Sequence, residues 1–311
     1  MKKKIIKIIG LIIVLLCLGF LGFIGKASFD GLTNIASREE TQKNMNSYRD
    51  KYESFAKGKS IEEIKIKSSQ KDHDIPAIFI KNPDAKGLAV MVHGMGGTKY
   101  SLYSPGQAFY DLGYSLLIYD QRNSGDNEAN YNTFGILESF DALDAISYGK
   151  NTLDAQEIIL YGESYGGATA LIAASRDSSL IDYLILDSPV SDSNEFADKV
   201  YKQVEEEQGL PIGLMKFMTN IFLKAKLGFT LKDIDASKWA KEADINSPVL
   251  IINSDNDKVT PVYMGEDIYK SIRGDKKEIY TAKGFGHIKF AEENPQGFKD
   301  VISNFLKNYR N

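Results

Sequence analysis

The chain has 311 residues, 43% of them hydrophobic and 26% charged, and a formal net charge of −4. That is room for one large globular domain or two ordinary ones, and it leaves no broad basic field to neutralise nucleic-acid phosphates. With three histidines and a single cysteine, a His/Cys zinc site and an intrachain disulfide are both excluded, and no cofactor is expected.

The first 25 residues, MKKKIIKIIGLIIVLLCLGFLGFIG, open with Lys2, Lys3, Lys4 and Lys7 and then run without charge from Ile8 to Gly25. Those 18 residues make about 27 Å of helix, close to the hydrocarbon thickness of a bilayer. We expect a single-pass anchor over residues 1–27. Its lysines stay on the cytoplasmic side, and the rest of the chain is extracytoplasmic at the cell membrane. The rival reading is a cleaved signal peptide, whose apolar core usually spans about 7–15 residues and ends in a small-x-small site. The apolar run here is longer, and GKASF is a poor cleavage site. Cys17 follows Leu16 rather than a small residue, which suits an apolar filler better than a lipidated cysteine.

Residues 28–60 are polar with sparse apolar positions. Met45, Tyr48, Tyr52 and Phe55 fall at i, i+3, i+7 and i+10, the stripe of a short amphipathic helix; a polar stalk is the plainer alternative. From Ile61 onward strand-like and helix-like runs alternate. IEEIKIKSS and IPAIFIK read as edge strands. GLAVMVHG, YSLLIYD, QEIILYG, IDYLILDSP and SPVLIINSD are short apolar runs of the kind found in strands buried on both faces. KKEIYTA is the last strand, the eighth. Helical stretches are expected over 105–112, 134–148, 165–175, 263–272 and 296–308. Such alternation predicts an α/β architecture, a mostly parallel sheet covered on both faces. Residues 189–247 break the rhythm with helical segments at 195–207 and 212–227, read as a helical cap inserted in a domain spanning 61–311. The cap's apolar stripe, Leu214, Met215, Phe217, Met218, Phe222 and Leu223, is read first as core packing, with the lining of an acyl pocket as the sharper alternative.

LYGESYGGATAL, residues 160–171, places Ser164 between glycines where an apolar strand meets an alanine-rich helix. Gly162 and Gly166 permit the tight corner of a nucleophile elbow. A serine needs a base to take its proton and a third group to orient that base. Three histidines could serve. His73 lies in a polar turn between the edge strands; His93 ends a buried strand, and His287 sits in a glycine-flanked loop after the last strand. The latter two fall beyond the carboxyl ends of strands, where ligands bind in such sheets.

In order along the chain, HGMGG, YDQRNSGDN, GESYG, INSDNDKVTP and the loop AKGFGHIKF resemble the oxyanion loop, D-x-R-x-x-G segment, elbow, acid loop and histidine loop of the α/β-hydrolase superfamily. Together with the N-terminal anchor and LDSPVSD, they resemble its membrane-anchored esterase and serine-aminopeptidase-like branch over about residues 61–308. The resemblance implies an α/β-hydrolase fold with an eight-stranded, mostly parallel sheet and a helical cap. It also implies Ser164 as nucleophile, His287 as base and Asp257 as the orienting acid, with Asp255 the alternative acid. Backbone N–H groups of Met95 and Tyr165 would form the oxyanion hole, with Gly94, Gly96 and Gly97 allowing close approach and His93 bracing the loop. Asp120 and Arg122 would tie loops together or, in the case of Arg122, meet a substrate carboxylate; Glu163 receives no role. The implied activity is hydrolysis of small-molecule carboxylic esters through an acyl-enzyme. Peptide or amide hydrolysis on the same machinery and a non-catalytic binding protein are the alternatives, and the implied partners are a small-molecule substrate and the lipid bilayer.

Overall fold

The computed structural model describes residues 2–310; Met1 and Asn311, the outer limits of the expected anchor and hydrolase domain, lie outside the described residues. The first elements are α1 (Lys2–Thr33), α2 (Arg38–Asn44), α3 (Arg49–Ala56), β1 (Ser60–Lys67), β2 (Asp74–Lys81), β3 (Gly87–Val92), α4 (Tyr103–Asp111) and β4 (Tyr114–Tyr119). There follow α5 (Glu138–Asn151), β5 (Ile158–Glu163), α6 (Tyr165–Arg176), β6 (Tyr183–Asp187), α7 (Asn194–Gln208), α8 (Ile212–Leu227) and α9 (Ala236–Glu242). The chain closes with β7 (Val249–Ser254), α10 (Val262–Ser271), β8 (Lys277–Ala282), α11 (Phe290–Glu293) and α12 (Pro295–Tyr309).

Contacts divide the chain into two compact units, Met1–Ile35 with Asn194–Ile234, and Ala36–Ser193 with Asp235–Asn311. The segments expected as a linker at 28–60 and a cap at 189–247 are therefore shared between them. No breaker stands at residue 27, so α1 continues to Thr33, helped by the i,i+4 ion pair Lys26–Asp30. The helical stripe from Met45 to Phe55 is interrupted: Met45–Ser47 is a 3₁₀ turn and Tyr48 leaves helical geometry at φ −126°, its hydroxyl hydrogen-bonded to Thr98. Among the described residues, the N-terminal helix is the one long and apolar enough to cross a membrane.

The second unit holds all eight strands, in the order β1-β2-β4-β3-β5-β6-β7-β8. β1, β2 and β4 pair antiparallel, and every pair from β4 through β3 to β8 is parallel. This is the mostly parallel α/β-hydrolase sheet. β3, β4, β5, β6 and β7 are buried at every position, which is why their sequences read as unbroken apolar runs. Alternate residues serve opposite faces. Met91, Ile118, Tyr161, Ile185 and Leu250 share one core with Phe109 of α4, Phe290 of α11 and Phe298 and Phe305 of α12. Removing one of these phenyl groups costs about 3–5 kcal/mol, so this layer fixes the sheet that carries the site.

The helix expected over 134–148 begins only at Glu138. Phe134 and Gly135 stand at φ 57° and 87°, held there because the Glu138 carboxylate accepts the N–H groups of Thr133 (2.8 Å) and Gly135 (3.0 Å).

Candidate active site

β5 delivers Ser164 to the carboxyl edge of the sheet, and α6 starts at the next residue. Ser164 stands at φ 54°, ψ −120°, a conformation that costs a non-glycine residue about 1–3 kcal/mol. The corner is held by neighbours on every side. Ser164 donates its N–H to Asp187 O (2.8 Å), and its carbonyl accepts from Gly167 (3.0 Å) and Val190 (3.2 Å). A Cβ at Gly162 would fall 2.2 Å from Gly166 O, and one at Gly166 would fall 2.3 Å from Val92 O. Glycine is required at both positions by backbone approach.

His287, in the loop after β8, places Nε2 2.9 Å from Ser164 Oγ. Its Nδ1 lies 2.7 Å from Asp257 Oδ2. A carboxylate only accepts, so Nδ1 carries the proton and Nε2 is left with its lone pair toward the hydroxyl. Burial alone would raise the Asp257 pKa; hydrogen bonds from His287 and Thr260 outweigh it and hold the carboxyl below the usual range. Thr260 was not singled out from the sequence. Its N–H and that of Val259 donate to Asp257 Oδ1, each at 2.8 Å, and its hydroxyl donates to Oδ2 at 2.8 Å. Asp and Thr three apart in a turn are the available signal, and an ordinary one. Asp255 is engaged elsewhere: it accepts from Gly284 N (2.7 Å) and pairs with Lys283. With Asn256 N donating to Phe285 O (3.0 Å), it fastens the acid loop to the histidine loop.

The loop after β3 lies on the other side of Ser164. A Cβ on Gly94 would sit 3.3 Å from Ser164 Cβ, so the missing side chain leaves room beside the hydroxyl. Gly97 donates to Gly94 O (3.1 Å) and Gly96 turns at φ 80°, which carries Met95 around the bend. Tyr165 opens α6, and a first-turn N–H has no acceptor within its helix. His93 is buried with both ring nitrogens committed. Nδ1 donates to Gly94 O (2.7 Å) and Nε2 accepts from Gln121 N (3.0 Å). Burial pushes its pKa down, so the ring stays neutral and braces the loop. Gln121 returns a bond to His93 O (2.6 Å) and accepts from Thr169 of α6 (2.8 Å).

Asp120 and Arg122 join loops. Asp120 accepts from Lys99 N (2.7 Å), Lys99 Nζ (2.8 Å) and Asp126 N (2.9 Å). Arg122 pairs with Asp72 and with Asp141, and His73 Nε2 lies 3.0 Å from Asp141. The histidine expected in a polar turn is thus drawn into a buried ionic cluster because Asp141 and Arg122 lie beneath that turn. Among the described residues, no group of three or more His, Cys, Asp or Glu is placed to hold a metal.

Two acids under the site had no assigned role. Glu163 and Asp187 are register partners on β5 and β6, and Tyr161 donates to Asp187 Oδ2 at 3.0 Å, with Glu163 Oε2 at 3.5 Å. Burial, then the neighbouring Asp187, pushes Glu163 up to about 8; burial also pushes Asp187 up to about 6. A carboxyl with a raised folded pKa binds its proton more tightly when folded. Its contribution to stability is complete below the ordinary value of 4.5 and is lost as pH rises through about 8. Glu163→Gln, which keeps the shape and cannot ionise, is expected to flatten the fall in melting temperature between about pH 6 and about pH 9. Thermal unfolding across that range checks it, and an unchanged slope would contradict it.

A cavity of about 390 Å³ borders the loop, with Gly94, Met95, Glu163, Tyr48, Lys51 and Ile288 among its walls. A larger one of about 740 Å³ is walled by residues such as Asp72, His73 and Lys99, and Ser164, Asp257 and His287 are among the walls of neither.

A mostly parallel sheet carrying a serine at a strained strand-to-helix corner, faced by a histidine and an aspartate from later loops, is the arrangement of the α/β-hydrolase fold. Residues 89–210 match the family model described as alpha/beta hydrolase fold. It is similar to the Bacillus subtilis (strain 168) protein YqkD, 28% identical over 238 residues and 76% of each chain. It is also similar to the lysophosphatidylserine lipase ABHD12 of Danio rerio, 27% identical over 242 residues, covering 71% of this chain and 58% of that protein. Among solved structures, the Pyrococcus furiosus esterase Pf2001 superposes with a TM-score of 0.63 at 17% identity, over 83% of this chain and 96% of that one. That last likeness is one of fold.

Proposed function

We propose that the protein is a membrane-anchored serine hydrolase that cleaves small-molecule carboxylic esters through an acyl-enzyme. The observation that carries this reading is the continuous bonded line from Ser164 Oγ through His287 to Asp257. Ser164 Oγ attacks the ester carbonyl as His287 Nε2 takes its proton, and Asp257 steadies the resulting imidazolium. The N–H groups of Met95 and Tyr165 stabilise the tetrahedral oxyanion, the latter aided by the positive end of α6. His287 returns the proton to the leaving alcohol, and water repeats the sequence on the acyl-serine. Support for esters comes from the relative named as a lysophosphatidylserine lipase.

Anchoring rests on α1. Lys2, Lys3, Lys4 and Lys7 precede an apolar run that is exposed from Ile8 to Phe20 and again at Phe23, which suits a lipid surrounding, with the hydrolase unit extracytoplasmic. Rapid mixing with a p-nitrophenyl acyl ester is expected to release one equivalent of nitrophenolate in a burst before steady turnover, and aminoacyl-anilides are expected to turn over far more slowly. Faster turnover of the anilides would replace the ester reading with a peptidase one.

A further inference from the structure

The part of α1 that follows its exposed apolar run is packed more closely than a stalk requires. Ile24, Phe29 and Leu32 are buried, and the neighbour is α8. The rings of Phe29 and Phe222 lie 6.2 Å apart, and a Cβ on Gly25 would fall 2.5 Å from Phe222 Cε2. Lys226 Nζ sits 4.8 Å from the Phe29 ring centre. α7 is tied to α8 by Tyr201 donating to Thr219 (2.9 Å) and by the Asp198–Lys216 pair. Between α1 and this helical pair runs a groove of about 240 Å³, walled by residues including Phe23, Ala27, Gly31, Val200, Val204 and Met215.

We propose that this groove takes one acyl chain of a bilayer lipid where α1 leaves the membrane. The proposal rests on the reading of α1 as a membrane span. Phe23, 70% exposed, is both the last exposed large apolar residue of α1 and a wall of the groove, so the cavity is continuous with the lipid-facing surface. α8, which supplies Met215 to the walls, leaves Phe217 63% and Ile221 45% exposed, four residues apart on one face. Bulky apolar side chains held in the open mark a surface that meets something other than water. The walls carry no charged side chain; Ser28, Gln208 and Tyr201 are their polar members, and the Tyr201 hydroxyl is already bonded. The volume is below the roughly 300–1,000 Å³ of ordinary small-molecule sites, which favours a slender unbranched chain.

The test uses the full-length protein in phosphatidylcholine nanodiscs doped with a phosphatidylcholine that carries a diazirine in one acyl chain. After irradiation, adducts are mapped by peptide mass spectrometry. Adducts are expected on α7–α8 peptides within residues 200–215 as well as on α1. A Cβ at Gly31 would meet nothing within 4 Å, so Gly31→Phe fills the groove, and phenylalanine suits a helix better than glycine. This variant is expected to reduce the α7–α8 adducts at least about fivefold by filling the site. Gly10→Phe, where the surroundings are equally open, is expected to leave them unchanged. Adducts confined to the first 20 residues, or α7–α8 adducts indifferent to Gly31→Phe, would overturn the acyl site while leaving the span intact. Absence of adducts from the whole of α1 would overturn the span itself.

Discussion

Ser164→Ala is expected to lower kcat on a p-nitrophenyl ester by about 10⁴–10⁶-fold, the loss typical when the nucleophile of such a constellation is removed. Nothing else in the site replaces that oxygen. Thr260 Oγ1 is bonded to Asp257 at 2.8 Å and lies on the far side of the imidazole, 3.1 Å from Nδ1. His93 has no free ring nitrogen. The residual rate would come from the backbone donors and from binding alone. Alanine keeps the Cβ and therefore the strained φ of 54°, and the bonds that fix the corner are all backbone bonds. Stability is expected to change by no more than about 1 kcal/mol, so a loss of activity would not be a loss of fold. Steady-state kinetics beside a thermal melt check both halves. Activity within tenfold of the parent would contradict the assignment.

Gly166→Ala is expected to damage stability and activity together. The added carbon would stand 2.3 Å from Val92 O and 2.5 Å from His93 O, backbone atoms with no rotamer to escape into. Val92 is itself held in register between Tyr119 of β4 and Gly162 of β5, so the sheet resists the shift. Overpacking of this kind costs about 3 kcal/mol or more, and any relief moves the loop from His93 to Met95 away from Ser164. A fall of several degrees in melting temperature together with a sharply reduced kcat/KM is expected. A variant as stable and active as the parent would show that the elbow is looser than described.

Much of this was legible because the constraints are local. β3 to β7 are buried on both faces, so their composition alone marks them. The glycines around Ser164 answer to steric approach, which a pattern of small residues records. His287 and Asp257 were separable from His93 and Asp255 only through motif order, because residue type could not distinguish them. What stayed hidden depends on partners far away in sequence. The pairing of Glu163 with Asp187 requires strand register, and the role of Thr260 requires the fold of its turn. The helix break at Phe134 follows from a carboxylate four residues on. The packing of α8 on α1 joins segments nearly two hundred residues apart, and the apolar stripe in the sequence could not say which neighbour it would meet.

The central claim is that His287 makes the oxygen of Ser164 a nucleophile, and a fluorophosphonate probe reads this directly. Intact-mass and peptide analysis are expected to find a single adduct on the Ser164 peptide of the parent protein, none on Ser164→Ala, and a greatly slowed adduct on His287→Ala. Equal labelling of the parent and Ser164→Ala, or an adduct on another serine, would contradict it.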